Sequence, residues 1–183
     1  MAMAFHHVAV ATTDLPATHR FYTEAMGFTL VKAVVAPTPE GAGGWAKHVF
    51  YDTGGTNGAG GLLAFWELNG PEAPVFDPAL STSHGLPVWT NHLAFFARDR
   101  DDLDARMRRW LDHGHDVAEI DHGFCVSVYT TDPNGTMVEW CADTRPLDAG
   151  DRAEAEALLA DPSPRLESPP EPVFHLAADH VRA

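Results

Sequence analysis

The chain has 183 residues, of which 45% are hydrophobic and 21% charged, a composition typical of a folded globular protein that excludes wholesale disorder. Its formal net charge of −14 would repel nucleic acid and anionic membrane surfaces, so neither is expected as a partner. The sequence has no apolar run near the roughly 20 residues that span a bilayer, and its N-terminal segment lacks signal-peptide features. We therefore expect a cytoplasmic protein, with Cys125 and Cys141 reduced and buried.

The first half of the chain predicts the element order β-α-β-β-β. A valine-rich alternating strand at residues 5–11 precedes a helix that begins after Asp14, an N-cap residue, and ends at Gly27. Three further strands follow, separated by loops dense in Gly, Pro and Asn, at residues 28–36, 47–52 and 62–68.

The second half repeats this order. A strand at residues 88–97 leads into a helix that ends at Gly114, and three strands follow at about 116–120, 124–131 and 136–142. The motif His-apolar-Ala opens both halves, at His7 and His92, which indicates an internal repeat. When "GGLLAFW" is laid on "NGTMVEW" to extend the repeat, Phe65 meets Glu139 and Trp66 meets Trp140.

The repeat predicts an α+β fold of paired βαβββ modules. We place the first module at residues 5–70, a connecting loop at 71–87 and the second module at 88–144, with residues 5–144 forming one domain. Residues 145–183 contain a short helix and a proline-rich stretch. This appendage either wraps the domain or a partner subunit, or is a loosely ordered tail.

Three residues are candidate metal ligands. His7 and His92 begin matching strands, an arrangement that would point two imidazoles into one shared cavity. Glu139 lies on an otherwise apolar strand face, where a carboxylate is costly unless it is paired or bound to a metal ion. Together they supply a 2-His-1-carboxylate set, which leaves metal positions open for substrate and oxygen. A structural carboxylate paired with an arginine is the alternative for Glu139.

The length of the turn in the hairpin from Ile120 to Trp140 determines which residues of its two strands face each other. The sequence "DPNGT" suits a three-residue turn, Pro133-Asn134-Gly135, with Gly135 in the left-handed conformation. Counting back from this turn, Tyr129 faces Glu139. A four-residue turn would shift the register by one and place the two on opposite faces.

The sequence resembles the vicinal oxygen chelate superfamily over about residues 5–142. The resemblance rests on the paired modules and on His7, His92 and Glu139. It implies an open, U-shaped mixed sheet around a metal site, in proteins that are commonly homodimers. The superfamily includes glyoxalases, thiol transferases of fosfomycin resistance, bleomycin-binding proteins, epimerases and extradiol ring-cleaving dioxygenases, so the fold alone does not fix the chemistry.

The hairpin is similar to the corresponding segment of extradiol dioxygenases, in which a histidine, a tyrosine, an acidic-Pro-x-Gly turn and the ligand glutamate follow one another. By that similarity His122 and Tyr129 would hydrogen-bond the catecholate or the oxygen-derived intermediate, and His122 at the rim would exchange protons. The implied metal is Fe(II), with Mn(II), Zn(II) or Ni(II) as alternatives. The implied substrates are a small catechol-like aromatic and molecular oxygen.

Two departures from the extradiol pattern bear on this interpretation. Many such enzymes carry a second, metal-free pair of modules, and this chain has one pair. They also place a catalytic histidine shortly before the second ligand histidine, where His84 is the candidate and an ordinary loop histidine the alternative. His48, in a predicted strand, is a further histidine that can face the site.

Two other functions stay open. One is a lyase, isomerase or thiol transferase. Glyoxalase-like lyases usually use a fourth ligand, a carboxylate on the last strand of the first module, where the repeat alignment places Phe65. Glu67, two residues later, would reach inward only if that alignment is shifted. The third possibility is a binding protein of the resistance type, which traps a flat ligand without turnover.

Overall fold

The computed structural model describes residues 5–38, 43–54 and 61–180. The strands are β1 (His7–Ala11), β2 (Thr29–Pro37), β3 (Trp45–Asp52), β4 (Leu62–Asn69), β5 (His92–Phe96), β6 (Val117–Asp121), β7 (Cys125–Thr131), β8 (Met137–Asp143) and β9 (Val173–His175). The helices are α1 (Leu15–Arg20), which a π-helical turn extends over Phe21–Ala25, α2 (Arg100–Asp112), α3 (Ala149–Ala160) and α4 (Ala177–His180).

The ends of α1 follow the sequence signals. The Asp14 side chain accepts a hydrogen bond from the backbone nitrogen of Ala17 at 2.9 Å, which satisfies one of the donors that a helix start leaves open. Gly27, after the π-helical turn, and Gly114, after α2, both have positive φ angles, of 78° and 82°. Glycine adopts this conformation without the steric cost of a Cβ atom, so both glycines end their helices as expected.

The strands are divided between two sheets. The first has the order β1-β4-β3-β2, in which β1 runs parallel to β4 and the other neighbours are antiparallel. The second has the order β5-β8-β7-β6-β9. The predicted α+β class and the repeated β-α-β-β-β order are therefore confirmed.

The chain forms two compact units, each with its own core. The first unit contains the described residues up to Leu93 together with Thr130–Val138, and the second contains Ala94–Tyr129 and the residues from Glu139 onward. Large aromatic and aliphatic side chains fill both cores: Tyr22, Tyr51, Leu63 and Phe65 in the first, and Leu103, Trp110, Val117, Val128 and Trp140 in the second. The predicted module boundaries at residues 5–70 and 88–144 stay a prediction.

The turn at Pro133-Asn134-Gly135 has the predicted length. The backbone nitrogen of Asp132 donates to the carbonyl oxygen of Thr136 at 2.9 Å, and that of Gly135 donates to the carbonyl oxygen of Asp132 at 3.0 Å. Gly135 has a φ of 76°, as the left-handed position of such a turn requires.

Side chains of this turn join a buried polar network in the first unit. Asp132 Oδ2 accepts a hydrogen bond from the Tyr22 hydroxyl at 2.9 Å, and Asn134 Oδ1 accepts one from the Thr12 hydroxyl at 2.7 Å. Burial raises the pKa of Asp132 although several donors face its carboxylate, and burial beside Asp132 raises the pKa of Tyr22 well above its ordinary value. The turn is thereby anchored to the residues around α1.

The C-terminal appendage packs on the second unit. Strand β9 pairs antiparallel with β6, with His175 opposite Val117. Glu119 links the two strands and α2, because its carboxylate lies 2.9 Å from His175 Nε2 and 2.6 Å from Arg100 Nη1. The end of the appendage therefore packs on its own chain, and a further contact of the appendage with a partner subunit stays a prediction.

Candidate functional site

Three of the predicted site residues meet in the second unit. His122 Nε2 lies 2.9 Å from the hydroxyl oxygen of Tyr129, and Tyr129 is hydrogen-bonded in turn to Glu139. His122 is exposed and Tyr129 is half-buried, whereas Glu139 is only 6% exposed. The three side chains therefore form a hydrogen-bonded path from the surface to a buried carboxylate.

The buried end of this path has a partner that the sequence analysis missed. The Ser127 hydroxyl donates to Glu139 Oε1 at 2.5 Å, and Ser127 is fully buried. Ser127 lies two residues before Tyr129, so the alternation of β7 places both side chains on one face. The predicted register puts Tyr129 beside Glu139, so strand alternation alone could have placed Ser127 on the same face as Glu139.

Tyr129 remains protonated near neutral pH. Burial raises its pKa to about 12, and the negative charge of Glu139 acts in the same direction. Because Glu139 can only accept hydrogen bonds when ionised, the phenol is the donor between the two. Tyr129 therefore holds the carboxylate in place with a neutral hydroxyl group.

The two cysteines lie on the same pair of strands. Both are free thiols and Cys125 is buried, as expected, but Cys141 is only half-buried. Burial raises the pKa of Cys125 to about 12, and a hydrogen bond with Cys141 adds to this effect. At neutral pH the Cys125 thiol is therefore neutral and behaves as a small apolar side chain.

His92 lies at the exposed start of β5, in the first unit. Its Nδ1 is 2.9 Å from the carbonyl oxygen of Trp89. Because a carbonyl only accepts hydrogen bonds, Nδ1 carries the proton, and in the neutral ring the lone pair is on Nε2. Metal-binding histidines commonly donate their second ring N–H to a carbonyl in this way, so the tautomer of His92 fits a ligand.

His7 lies at the exposed start of β1 within a group of aromatic rings. Its Nδ1 is 2.8 Å from Nδ1 of His6, and its ring centroid lies 5.6 Å from that of Phe50 and 6.0 Å from that of His48. His48 is 7% exposed, and its Nε2 is buried without a hydrogen-bond partner. His48 and His7 therefore occupy the same face of the first sheet.

The predicted alignment of the two repeats is wrong by one residue at their ends. Phe65 packs on Tyr22, with ring centroids 4.8 Å apart, whereas Trp66 stacks on His48 at 3.8 Å on the opposite sheet face. In the second unit the residue that faces the helix is Trp140, whose ring lies 3.6 Å from the Arg106 guanidinium of α2. The helix-facing counterpart of Trp140 is therefore Phe65, and not Trp66.

The shifted alignment changes which residue of the first unit matches the fourth metal ligand of glyoxalase-like lyases. With Phe65 opposite Trp140 in the repeat, Ala64 takes the position of Glu139, and Ala64 has no atom that can bind a metal ion. Glu67 shares the face of Phe65, which is opposite that of His7. Its carboxylate is bound to Lys47 Nζ at 2.8 Å. In the described part of the first unit, the strand position that matches Glu139 is therefore occupied by Ala64, and whether the protein uses a fourth ligand stays a prediction.

His84 lies in a 3₁₀ turn, Thr82–His84, and is exposed. Its Nδ1 is 2.9 Å from the Ser83 hydroxyl oxygen. Across residues 5–38, 43–54 and 61–180, no group of three or more His, Cys, Asp and Glu side chains is close enough to hold a metal ion. The ligand set of His7, His92 and Glu139 and the role of His84 stay predictions.

The comparison with protein families concerns residues 4–140 of this chain. They match the model of the glyoxalase/bleomycin resistance protein/dioxygenase superfamily. The chain belongs to this superfamily. The match extends through both β-α-β-β-β repeats as far as Trp140, so the resemblance to vicinal oxygen chelate proteins is confirmed. Closeness to the extradiol members of the superfamily stays a prediction.

Solved structures of the superfamily share the fold at low identity. The glyoxylase/bleomycin resistance protein/dioxygenase domain from Frankia sp. EAN1pec is 18% identical, with a TM-score of 0.57 over 80% of this chain and 96% of its own. The fosfomycin resistance protein FosX from Listeria monocytogenes, in complex with Mn(II) and sulfate ion, is 17% identical, with a TM-score of 0.51 over 84% of this chain and 99% of its own. At such identities the likeness shows the fold alone.

No curated protein matches this chain. Within the described part of the chain, every helix is too short or too polar to cross a membrane.

Proposed function

We propose that the protein is a metal-dependent extradiol-type dioxygenase that cleaves the ring of a small catechol-like aromatic with molecular oxygen. The observation that carries the proposal is the hydrogen-bonded path from His122 through Tyr129 to Glu139. A histidine and a tyrosine joined to the proposed ligand carboxylate match the order of residues in the extradiol hairpin that the sequence resembles. A ring-cleaving dioxygenase needs groups that orient a phenolic oxygen and move its proton.

In this proposal His7, His92 and Glu139 hold a divalent metal ion, Fe(II) or in its place Mn(II), Zn(II) or Ni(II). The tautomer of His92 and the hydroxyl groups on the buried Glu139 carboxylate support the donor set, because both are the outer contacts that metal ligands usually have. When bound, iron would supply chelation of two adjacent substrate oxygens and the redox chemistry with dioxygen.

The residues around the metal ligands have separate roles in the proposal. Tyr129 donates its one hydroxyl proton to Glu139, because its pKa of about 12 keeps the phenol protonated, and its oxygen accepts a hydrogen bond from a substrate hydroxyl and so orients it. His122, at the exposed end of the path, donates from Nε2 to the Tyr129 oxygen, so its other ring nitrogen, Nδ1, accepts the proton of the catechol hydroxyl and returns it to the product. His84 is a second candidate for proton transfer. Its contact with the Ser83 hydroxyl gives the ring a fixed partner.

We further propose that the protein is a cytoplasmic homodimer that takes no nucleic acid or membrane as a partner. The net charge of −14 supports the exclusion of polyanionic partners. The edge strand β2 supports the homodimer, because it carries Leu30, Val31, Val34 and Val35 in exposed positions.

The experiment that tests the proposal is anaerobic reconstitution with Fe(II), followed by a panel of catechols and oxygen. Oxygen uptake with a coloured, ring-opened product is expected. His122→Gln and Tyr129→Phe should each lower kcat about 100-fold or more while iron content stays stoichiometric. His113→Gln is the matched control and should retain full activity, since His113 is an exposed histidine whose Nδ1 lies 2.8 Å from the carbonyl oxygen of Arg109 at the end of α2.

Two outcomes would contradict the proposal. No oxygen uptake with any catechol despite stoichiometric iron would exclude ring cleavage, and tight aromatic binding under those conditions would then favour the binding-protein alternative. Unchanged iron content in both His92→Ala and Glu139→Ala would exclude the ligand set, because removal of a metal ligand must weaken metal binding.

A further inference from the structure

The first unit contains a cavity of about 540 Å³, within the roughly 300–1,000 Å³ typical of small-molecule sites. It lies at the end of the first sheet, where the end of β2 and the start of β3 meet the segment after β4. Its walls are mainly apolar or small, and include Thr38, Ala46, Trp66, Leu68 and Ala73. All of these lining residues belong to the first unit.

Cross-strand pairs of β3 and β4 form the sheet wall of this cavity. Ala46 pairs with Leu68 and His48 with Trp66, so the four side chains share one face of the sheet. The His48 ring stacks on Trp66 with an interplanar angle of 12°, which fixes the plane of the indole. A flat, rigid aromatic wall of this kind favours a flat ligand.

The space at this end of the sheet depends on residues without side chains. A Cβ atom on Gly44 would come within 2.3 Å of the Asn69 carbonyl oxygen, and one on Gly70 within 2.6 Å of the Gly44 Cα atom. The two backbones are therefore in direct contact there. Both glycines line the cavity, so main chain and not side chains forms its surface at these positions.

The polar groups of the cavity include an atom with no partner. Thr38 Oγ1 is buried, and neither it nor the buried Nε2 of His48 on the same sheet face makes a hydrogen bond. A buried polar atom without a partner is costly, so such atoms in native proteins often await a ligand or water. Among the lining residues that the structure describes, the charged one is Glu72, and its carboxylate would repel an anionic ligand.

From these observations we propose that the cavity binds a neutral, flat aromatic molecule, or the aromatic arm of one, that hydrogen-bonds Thr38 Oγ1. The ring system lies against Trp66 and Leu68, and its polar group satisfies the hydroxyl that the protein itself leaves unpaired. The proposal extends beyond ring cleavage and does not require a bound metal ion.

The test uses N-phenyl-1-naphthylamine, a neutral aromatic amine whose fluorescence rises in an apolar site, titrated into the purified full chain with and without Fe(II). Saturable binding in both conditions is expected. Thr38→Val keeps the side-chain volume and should weaken binding roughly fivefold to tenfold, because it removes one hydrogen bond. The N-methyl form of the probe has no N–H group, and its affinity should be the same for the wild type and Thr38→Val.

A second pair of variants tests the location of the probe. Ala73→Trp fills the cavity from the segment after β4 and should weaken binding about tenfold or more. Ala160→Trp, at the exposed end of α3, is the matched control and should leave binding unchanged. Circular dichroism and urea denaturation should show that all variants are folded.

Three results would overturn the proposal: no saturable binding by the wild type, equal binding by Ala73→Trp and Ala160→Trp, or an equal effect of Thr38→Val on both probes. None of these depends on iron or oxygen uptake. Failure of this cavity as a binding site is therefore distinguishable from failure of the dioxygenase proposal.

Discussion

At the scale of single residues, the turn that follows β7 owes its position to buried hydrogen bonds. Asp132 is 5% exposed, and its carboxylate accepts hydrogen bonds from the Tyr22 hydroxyl, the Asn134 side chain and two backbone nitrogens. An acidic residue in this turn is thus a structural requirement, independent of metal binding. The loss of one such donor should leave part of a buried carboxyl group unsatisfied.

Tyr22→Phe should therefore lower the free energy of unfolding by about 1–3 kcal/mol. The matched control is Tyr51→Phe, because Tyr51 is equally buried but its hydroxyl contacts the partly exposed ring of His19 at 3.0 Å. We expect Tyr51→Phe to cost about 1 kcal/mol or less, since water can replace the lost partner. Urea denaturation measures both losses, and a Tyr22→Phe loss no greater than that of Tyr51→Phe would contradict the prediction.

Residue contacts were predictable from the sequence where the number of residues in a turn determines which residues of the two strands face each other. The three-residue turn was predictable because Gly135 follows Pro133-Asn134, and it brought Tyr129 beside Glu139. The offset between Phe65 and Glu139 was missed because both repeats end in an aromatic residue, and composition does not tell which sheet face that residue takes. The unpaired Nε2 of His48 was beyond prediction, because it depends on packing against Trp66.

At the scale of elements, Glu119 joins strand β6, strand β9 and helix α2. Burial raises the pKa of Glu119, but hydrogen bonds from Arg100 and His175 outweigh this effect and hold the pKa below its ordinary range. A carboxyl group with a lowered folded-state pKa stabilises the fold above its unfolded-state pKa. This contribution is lost as the pH falls through the folded-state pKa.

Glu119→Gln should lower the stability of the β6–β9 pairing by about 1 kcal/mol at neutral pH. The variant should also lose less stability than the wild type between pH 5 and 3, about the range where carboxyl groups titrate. Faster hydrogen exchange at the amides of Val173–His175 would report the change. The control is Glu156→Gln, because Glu156 pairs with Arg152 while both side chains are mostly exposed. Equal exchange rates in Glu119→Gln and the wild type would count against a role for Glu119 in docking β9.

Elements with strong local signals were predictable, and β9 was not. Asp14 and Gly27 bracket α1 and its extension because capping and glycine termination act within a few residues. Strand β9 has only three residues and follows a proline-rich stretch, so local propensity does not favour it. It forms because β6 offers an open edge, which is a property of the sheet and not of the segment.

At the scale of the whole molecule, β2 is the edge of the first sheet and is exposed along all of its residues. Val35, 60% exposed, lies beyond the point between Leu30 and Lys32 where the register on β3 shifts. An exposed apolar edge strand is a template for pairing with a second chain. This edge is where we expect the proposed homodimer to form.

Val35→Lys should convert the dimer to a monomer, because lysine on an edge strand opposes strand pairing between chains. Light scattering coupled to size-exclusion chromatography measures the mass. Leu159→Lys, at a 90% exposed position of α3, is the control and should stay dimeric. A dimeric Val35→Lys protein would place the interface elsewhere.

The chain's path through its two units also bears on synthesis. Thr130–Val138 belongs to the first unit, although the segments on either side of it belong to the second. The Tyr22 hydroxyl therefore meets its acceptor, Asp132, only after another 110 residues have been translated. During translation the N-terminal unit cannot bury this polar network as an early, separate step. Its completion has to wait for most of the polypeptide to leave the ribosome, which sets a time window in which chaperones would bind it.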